Sequence, residues 1–195
     1  GFVAASQRAC AEARGAYVAA MGGDDVARTR RLELQLAALR EERLDACGGG
    51  VRYFPDATAG LRRYERWLNS LTTVERARHD LFVECPIGHP TLFARAGAIS
   101  YRQVGWPEDY DLVLRITEHA RRVHHLPTVG YHWRMGEGSA AANPDAKPYA
   151  FEAGRRAVQA QCDRIVMDAT VEMLPATGYH RLLRRLTDRP SVSVV

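Results

Sequence analysis

The sequence has no apolar run approaching the roughly 20 residues that a membrane-crossing helix requires, so it holds no candidate for such a helix. It also lacks paired cysteines. Cys10, Cys47, Cys85 and Cys162 are scattered without any CxxC spacing, which argues against a zinc site or a dithiol redox motif and for isolated buried thiols. No internal repeat is visible, and the opening residues Gly1-Phe2-Val3-Ala4-Ala5-Ser6-Gln7-Arg8 carry no charged-then-apolar signal pattern. The net charge of +4 raises nucleic acid as a partner. However, the arginines are dispersed over expected helix faces (Arg28, Arg30, Arg31; Arg62, Arg63; Arg155, Arg156; Arg184, Arg185) without interleaved aromatics. That arrangement fits solvated helix surfaces or contacts to acidic diphosphates and lipids better than a nucleic-acid groove.

What is present is an ordinary globular composition. The chain has 195 residues, 46% hydrophobic and 26% charged, enough to bury one sizeable core. The Ala-rich stretch 3–14 predicts a helix closed near Gly15, and residues 16–21 a short buried strand. From Thr29 onward Leu32, Leu36 and Leu39 recur at helical spacing. Residues 44–54 predict a strand entering a tight bend at Gly48-Gly49-Gly50. Leu61, Tyr64, Leu68 and Leu71 mark an amphipathic helix, and Thr73 is a candidate N-cap for the next. Residues 84–91 read as a loop before a short strand at Leu92-Phe93-Ala94. Pro107 opens a helix with Leu112, Ile116 and Ala120 inward. Two short strands flank Pro127, and a long helix is predicted over 149–174 with Val158, Cys162, Ile165 and Ala169 inward. Strands alternating with helices predict an α/β fold.

Two clusters carry chemistry. Met21-Gly22-Gly23-Asp24-Asp25 sits between a strand and a helix, where open α/β sheets bind ligands. Carboxylates there suit Mg²⁺ or Mn²⁺ bridging to diphosphate oxygens, or else Asp24 or Asp25 caps the following helix. Gly105-Trp106-Pro107-Glu108-Asp109-Tyr110-Asp111-Leu112 packs three carboxylates between aromatics at a helix entrance. One acid there is a commonplace dipole partner. Three exceed what a cap requires, and one could act as general base toward a sugar hydroxyl. His124-His125 and His132 lack a third ligand at metal spacing, and core or surface roles are expected for them.

In this order the two clusters resemble the family-two glycosyltransferases of GT-A fold. That family has a strand ending in an Asp-x-Asp metal motif and, later, a Glu-Asp-Tyr-Asp-Leu helix start. Arg14-Gly15-Ala16-Tyr17-Val18, Arg31-Leu32-Glu33-Leu34-Gln35, Glu84-Cys85-Pro86-Ile87-Gly88-His89-Pro90-Thr91, Leu126-Pro127 and Tyr131-His132-Trp133-Arg134 extend the likeness over residues 1 to about 160. The resemblance implies a partial GT-A, Rossmann-like nucleotide-diphospho-sugar transferase fold over 1–148 with a C-terminal helical extension or linker over 149–188. It implies an inverting transfer from a nucleotide-sugar donor to a glycan or lipid-linked acceptor, in glycan or cell-surface polysaccharide synthesis. The expected setting is the cytoplasm, at or near the inner face of the membrane. Asp24 would bind the metal, with Asp25, Trp133 and Arg134 beside the donor diphosphate. Asp109 would be the base, helped by Glu108, while His89, Trp106, Tyr110 and Asp111 would face the acceptor.

Two departures accompany the likeness. Gly22 stands where the family has the first Asp of its metal motif, which implies a weakly held cation and an expected gain in Mn²⁺ affinity for Gly22→Asp. It also leaves open a non-catalytic module that binds sugar nucleotides or a partner protein. Second, the family's opening strand, which grips the nucleotide base, is not found ahead of Gly1, whereas residues 190–195 resemble it. The expectation is therefore a piece of a tandem protein, with residues 189–195 beginning a second transferase domain. Alone, such a piece would expose an apolar sheet edge and bind UDP poorly.

Overall fold

The computed structural model describes residues 2–99, 108–119, 124–136, 148–174 and 180–185, together with residues 187 and 191. Its elements are α1 (Phe2–Glu12), β1 (Tyr17–Ala19), β2 (Val26–Ala27), α2 (Arg31–Glu41), β3 (Ala46–Phe54), α3 (Ala59–Ser70), α4 (Val74–Asp80), β4 (Phe93–Arg95), α5 (Glu108–His119), β5 (His124–Arg134), α6 (Pro148–Arg164), β6 (Ala169–Met173) and β7 (His180–Arg184). Among the described residues the main sheet has the order β1-β4-β3-β5-β2. Its central pair, β3 and β5, is parallel, and every other pairing is antiparallel. The predicted α/β class holds. Residues 192–195 and 188–190 lie outside the described residues, and so does the strand expected there.

β3 is the spine of this sheet. The strand does not end in a turn at its three glycines but continues through them, with the ladder to β5 slipping on either side of Gly50, and Gly48 serves a close approach. A Cβ on Gly48 would lie 2.7 Å from Ile87 Cγ2, so glycine lets the loop before β4 press onto the strand. Across the pair, Gly49 is opposite Leu126 but Gly50 is opposite Val129, which pushes Pro127 and Thr128 out of register. Proline has no N–H to give a ladder, and this slip accommodates it. The two strands expected around Pro127 are therefore one irregular strand. On the other edge of β3, where pairing with β4 ends after Cys47, α3 supplies the missing partners. The Asn69 amide accepts from Val51 N at 2.8 Å and donates to Val51 O at 2.9 Å. The buried Glu65 carboxylate accepts from Tyr53 N at 2.9 Å and is itself held by Arg62 and Arg52. Buried backbone groups are thus satisfied by side chains.

α2 corrects the expected pattern of burial. Leu32 is 49% exposed, and the buried positions are Arg31, Gln35 and Leu39. Arg31 and Gln35 are inside because they serve backbone carbonyls: Arg31 Nη2 donates to Ala20 O at 3.0 Å and Gln35 Nε2 to Thr91 O at 2.7 Å. α4 starts as predicted, with Thr73 Oγ1 accepting from Arg76 N. The loop and short strand at 84–95 also hold, with β4 displaced by one residue.

The predicted long helix ends early. α6 stops at Arg164 and the chain turns into β6, which pairs antiparallel with β7. Val158 and Cys162 point inward as expected and share a core with Leu112, Val113, Leu114 and Val171. Ile165 is instead half-exposed, and Ala169 belongs to a strand. The stop is a left-handed residue: Val166 has φ 57°, Met167 N donates to Cys162 O at 2.9 Å and Val166 N to Asp163 O at 3.3 Å. This is the hydrogen-bond pattern of a Schellman cap, with valine where glycine is usual. α2 ends the same way, with Arg43 at φ 54° and Leu44 N donating to Leu39 O.

Two predictions follow from this packing. Val166 is 90% exposed, so replacing it removes strain without removing burial. Val166→Gly is expected to raise the unfolding free energy by about 1 kcal/mol in urea titration. His125 is buried, its Nδ1 3.2 Å from Leu71 O, and burial holds its pKa below the ordinary 6.5. The unfolded chain therefore takes up the proton first as pH falls. Stability should be full above about pH 6.5 and decline as pH is lowered through that value. His125→Asn should flatten the decline between pH 7.5 and 5.5.

Candidate functional site

The acidic loop after β1 is tied to β5 by one hydroxyl. Tyr131, fully buried, accepts a hydrogen bond from Gly22 N at 2.8 Å and donates to Asp25 Oδ2 at 2.5 Å. The second Asp25 oxygen accepts from Arg134 N at 2.6 Å, and Arg134 Nε donates to Asp24 O at 2.6 Å. Burial, and after it the bond to Asp25, push the Tyr131 phenol well above the ordinary tyrosine range, so it remains a donor. Beneath its ring lies the Arg31 guanidinium, 5.0 Å from the centroid. Burial presses the Arg31 pKa below the ordinary guanidinium value, and the charge is met by the ring, by Gln35 and by Ala20 O.

This geometry settles the helix-cap alternative. α2 begins at Arg31, its N-cap is Arg30, and no side chain caps it; neither Asp24 nor Asp25 does so. Asp25, expected beside the donor, has both carboxylate oxygens bound within the protein. Asp24 is exposed and only its backbone carbonyl is engaged, by Arg134. Among the described residues no group of three or more His, Cys, Asp or Glu gathers as a cation site. The donor set is thus one free carboxylate, which suits a cation that keeps its waters and arrives with phosphate oxygens. Gly22 cannot be the simple lapse that its position implied. A Cβ there would lie 2.3 Å from Asp25 Oδ2, the very oxygen that Tyr131 holds.

The second acidic cluster starts α5. Glu108 and Asp109 occupy its first turn, and Trp106 lies outside the described residues. The next two residues, expected to face an acceptor, are instead interior. Tyr110 is buried and its hydroxyl donates to Leu81 O at 2.6 Å. Burial, with Cys85 and Glu84 nearby, pushes its phenol far above the ordinary range. Asp111, 1% exposed, accepts from Arg115 Nε at 2.7 Å. Their expected acceptor role came from the family resemblance, which carries no information on burial.

The remaining candidates divide. Trp133 stacks on Tyr53, with centroids 5.4 Å apart, and packs against the core of Val51, Leu61 and Leu68, so its ring is spent on packing. Arg134 is exposed, its guanidinium 4.6 Å from the Phe54 ring centroid and beside Asp24. His89 is half-buried and opens a single 3-10 turn, its carbonyl accepting from Leu92 N. Burial raises the Tyr53 phenol most, and Glu65, Glu84 and Asp25 raise it further; Glu84 also acts on Tyr110. Tyr131, Arg31 and Glu84 were the residues whose importance the sequence concealed. Each stood inside a stretch matching the family pattern, yet nothing local distinguishes a tyrosine that holds a loop from one that fills a core.

The comparisons with known proteins agree with this fold. The family model for "Glycosyl transferase family 2" matches residues 1–100 of the 195, ending before α5. An uncharacterized protein of Sinorhizobium fredii, y4gI, is 41% identical over 91 residues, 45% of this chain and 10% of that protein. The crystal structure of S. aureus TarS 1-349 superposes with a TM-score of 0.53 at 14% identity, covering 83% of this chain and 44% of that one. The same protein in complex with UDP-GlcNAc gives 0.51 at 15% identity, covering 80% and 45%. The chain therefore spans less than half the length of these structures and about a tenth of the rhizobial relative. With its curled mixed sheet and the loop held at the end of β1, the chain has the GT-A fold and belongs to glycosyl transferase family 2.

Proposed function

We propose that this chain is part of a glycosyltransferase that moves a sugar from a nucleotide-sugar donor to an acceptor hydroxyl with inversion. Family membership and a fold shared with a protein crystallised with UDP-GlcNAc support the class. The observation that carries the reading is the clamped loop, where Tyr131 and Arg134 immobilise Asp25 and leave the Asp24 carboxylate exposed at the end of β1. Asp24 is the residue that would hold a divalent cation, with Arg134 beside it facing the donor diphosphate. When bound, such a cation supplies Lewis-acid neutralisation of the leaving diphosphate.

On this reading Asp109 takes the proton of the acceptor hydroxyl. That oxygen bonds to the anomeric carbon, and the carbon–oxygen bond to the diphosphate breaks on the opposite face, its electron pair leaving with the nucleoside diphosphate. Glu108 orients the base, and His89 and Trp106 take the acceptor side. The acceptor we infer is a glycan or a membrane lipid, served from the cytoplasmic side in cell-surface polysaccharide synthesis. No described helix is long and apolar enough to cross a membrane.

Asp109→Asn in the full-length protein is expected to lower turnover of UDP-sugars by at least about a hundredfold. The donor dissociation constant, measured by calorimetry, should change little. Normal turnover by this variant would overturn the base assignment. Gly22→Asp is expected to eject Asp25 from its clamp rather than complete a metal site. It should lower the unfolding free energy by about 1–3 kcal/mol, the scale of orphaning a buried polar group. Mn²⁺ affinity, titrated in the presence of UDP, should fail to rise.

A further inference from the structure

The first turn of α5 is pinned from two sides by groups that the proposed chemistry does not use. On one side, the Tyr110 hydroxyl donates to Leu81 O at the end of α4. On the other lies an ion cluster reaching to α6. Asp111 Oδ2 accepts from Arg115 Nε at 2.7 Å. Arg164 of α6 places Nη1 3.8 Å from Asp111 Oδ1 and donates from Nε to Glu118 Oε1 at 2.5 Å. Gln161, also buried, accepts from Arg164 Nη2 at 2.7 Å. The four charges sum to zero and are largely withdrawn from water, with side-chain exposures of 1% for Asp111, 12% for Arg115, 13% for Glu118 and 27% for Arg164.

Two atoms of this cluster are buried without a hydrogen-bond partner among the described residues, Asp111 Oδ1 and Arg115 Nη2. A buried carboxylate oxygen left unsatisfied is costly, and a stability role alone is a poor reason to keep it. The cluster instead fixes position. Asp111 lies in the first turn of α5 and Glu118 in the last, so the Arg164 guanidinium meets both ends of the helix, through a hydrogen bond to Glu118 and a longer ion pair with Asp111, and opposes sliding along its axis.

We propose that Arg164 is a positioning residue: through Asp111 and Glu118 it sets the place of the α5 turn that carries Glu108 and Asp109. This inference rests on the reading of Asp109 as the base. It places α6 in the catalytic unit, although it follows α5 by dozens of residues and lies beyond the segment that matches the family.

The test uses the full-length protein with Arg164→Gln, Arg164→Lys and, as a control on the same helix, Arg155→Gln. Arg155 pairs with Glu152 and donates to Val171 O of β6 at 3.3 Å, and takes no part in the cluster. Two readouts are needed. In hydrogen exchange, Arg164→Gln should speed the amides of residues 108–114 at least tenfold while those of β3 stay unchanged; Arg155→Gln should leave both unchanged. In UDP release from UDP-GlcNAc, Arg164→Gln should lower kcat at least tenfold with donor KM within twofold, and Arg164→Lys should recover part of the loss. Unchanged exchange in the α5 turn would overturn the proposal. So would faster exchange together with unaltered kcat in a turning-over enzyme, because the turn would then move without consequence. If Asp109→Asn retained full turnover, the base reading would fail on its own, while the exchange result would still show whether Arg164 holds the turn.

Discussion

The Tyr131 hydroxyl is the constraint on which the candidate donor loop depends. It reaches from the parallel strand β5 to a loop more than a hundred residues earlier in the chain, accepting one backbone N–H and giving its own proton to a carboxylate. The guanidinium under the ring reinforces the same point, because Arg31 also bonds to Ala20 O, immediately before the loop. The loop is therefore organised by the sheet's interior, and its shape is inherited from the pairing of β3 with β5 rather than from local turn preferences.

That dependence explains what the sequence disclosed and what it did not. Signals carried by a few neighbouring residues survived: the Thr73 cap, the α3 face of Leu61 and Leu68, and the placement of a loop between β1 and the next helix. Signals that require a distant partner did not. Periodicity marked Leu32 for burial, but Arg31 and Gln35 are inside because the carbonyls of Ala20 and Thr91 need donors there. A glycine triplet looked like a bend, yet Ile87 needed the space over Gly48. The region after Arg164 looked helical because Ile165 and Ala169 continue the spacing of Val158 and Cys162. It ends as a helix through a left-handed valine, which no propensity scale would place there.

The same logic sorts the acidic residues by which of them the interior binds. Of the five carboxylates singled out in the sequence, two are immobilised within the protein, Asp25 against β5 and Asp111 against Arg115. Each is adjacent to a residue with a proposed chemical role, Asp24 in one case and the 108–109 pair in the other. At the first loop, Asp25 fixed by the interior next to the exposed Asp24 gives that carboxylate a defined place without consuming its charge. Preorganisation of this kind costs nothing at the moment of reaction.

The location of the α5 supports bears on where the functional unit begins and ends. The matched family segment stops at residue 100, but the turn that carries Glu108 and Asp109 is held by Leu81 on one side and by α6 on the other. α6 in turn packs on β6 through the buried Cys162 and Val171, and Arg155 reaches Val171 O. The helix and ribbon after residue 148 are thus continuous with the core that positions the proposed base. A tether between independent domains would not bury Val158 and Cys162 against Leu112 and Leu114, because a linker keeps its polar surface wet and its contacts few. This packing joins the described residues of α6, β6 and β7 to the core that holds α5.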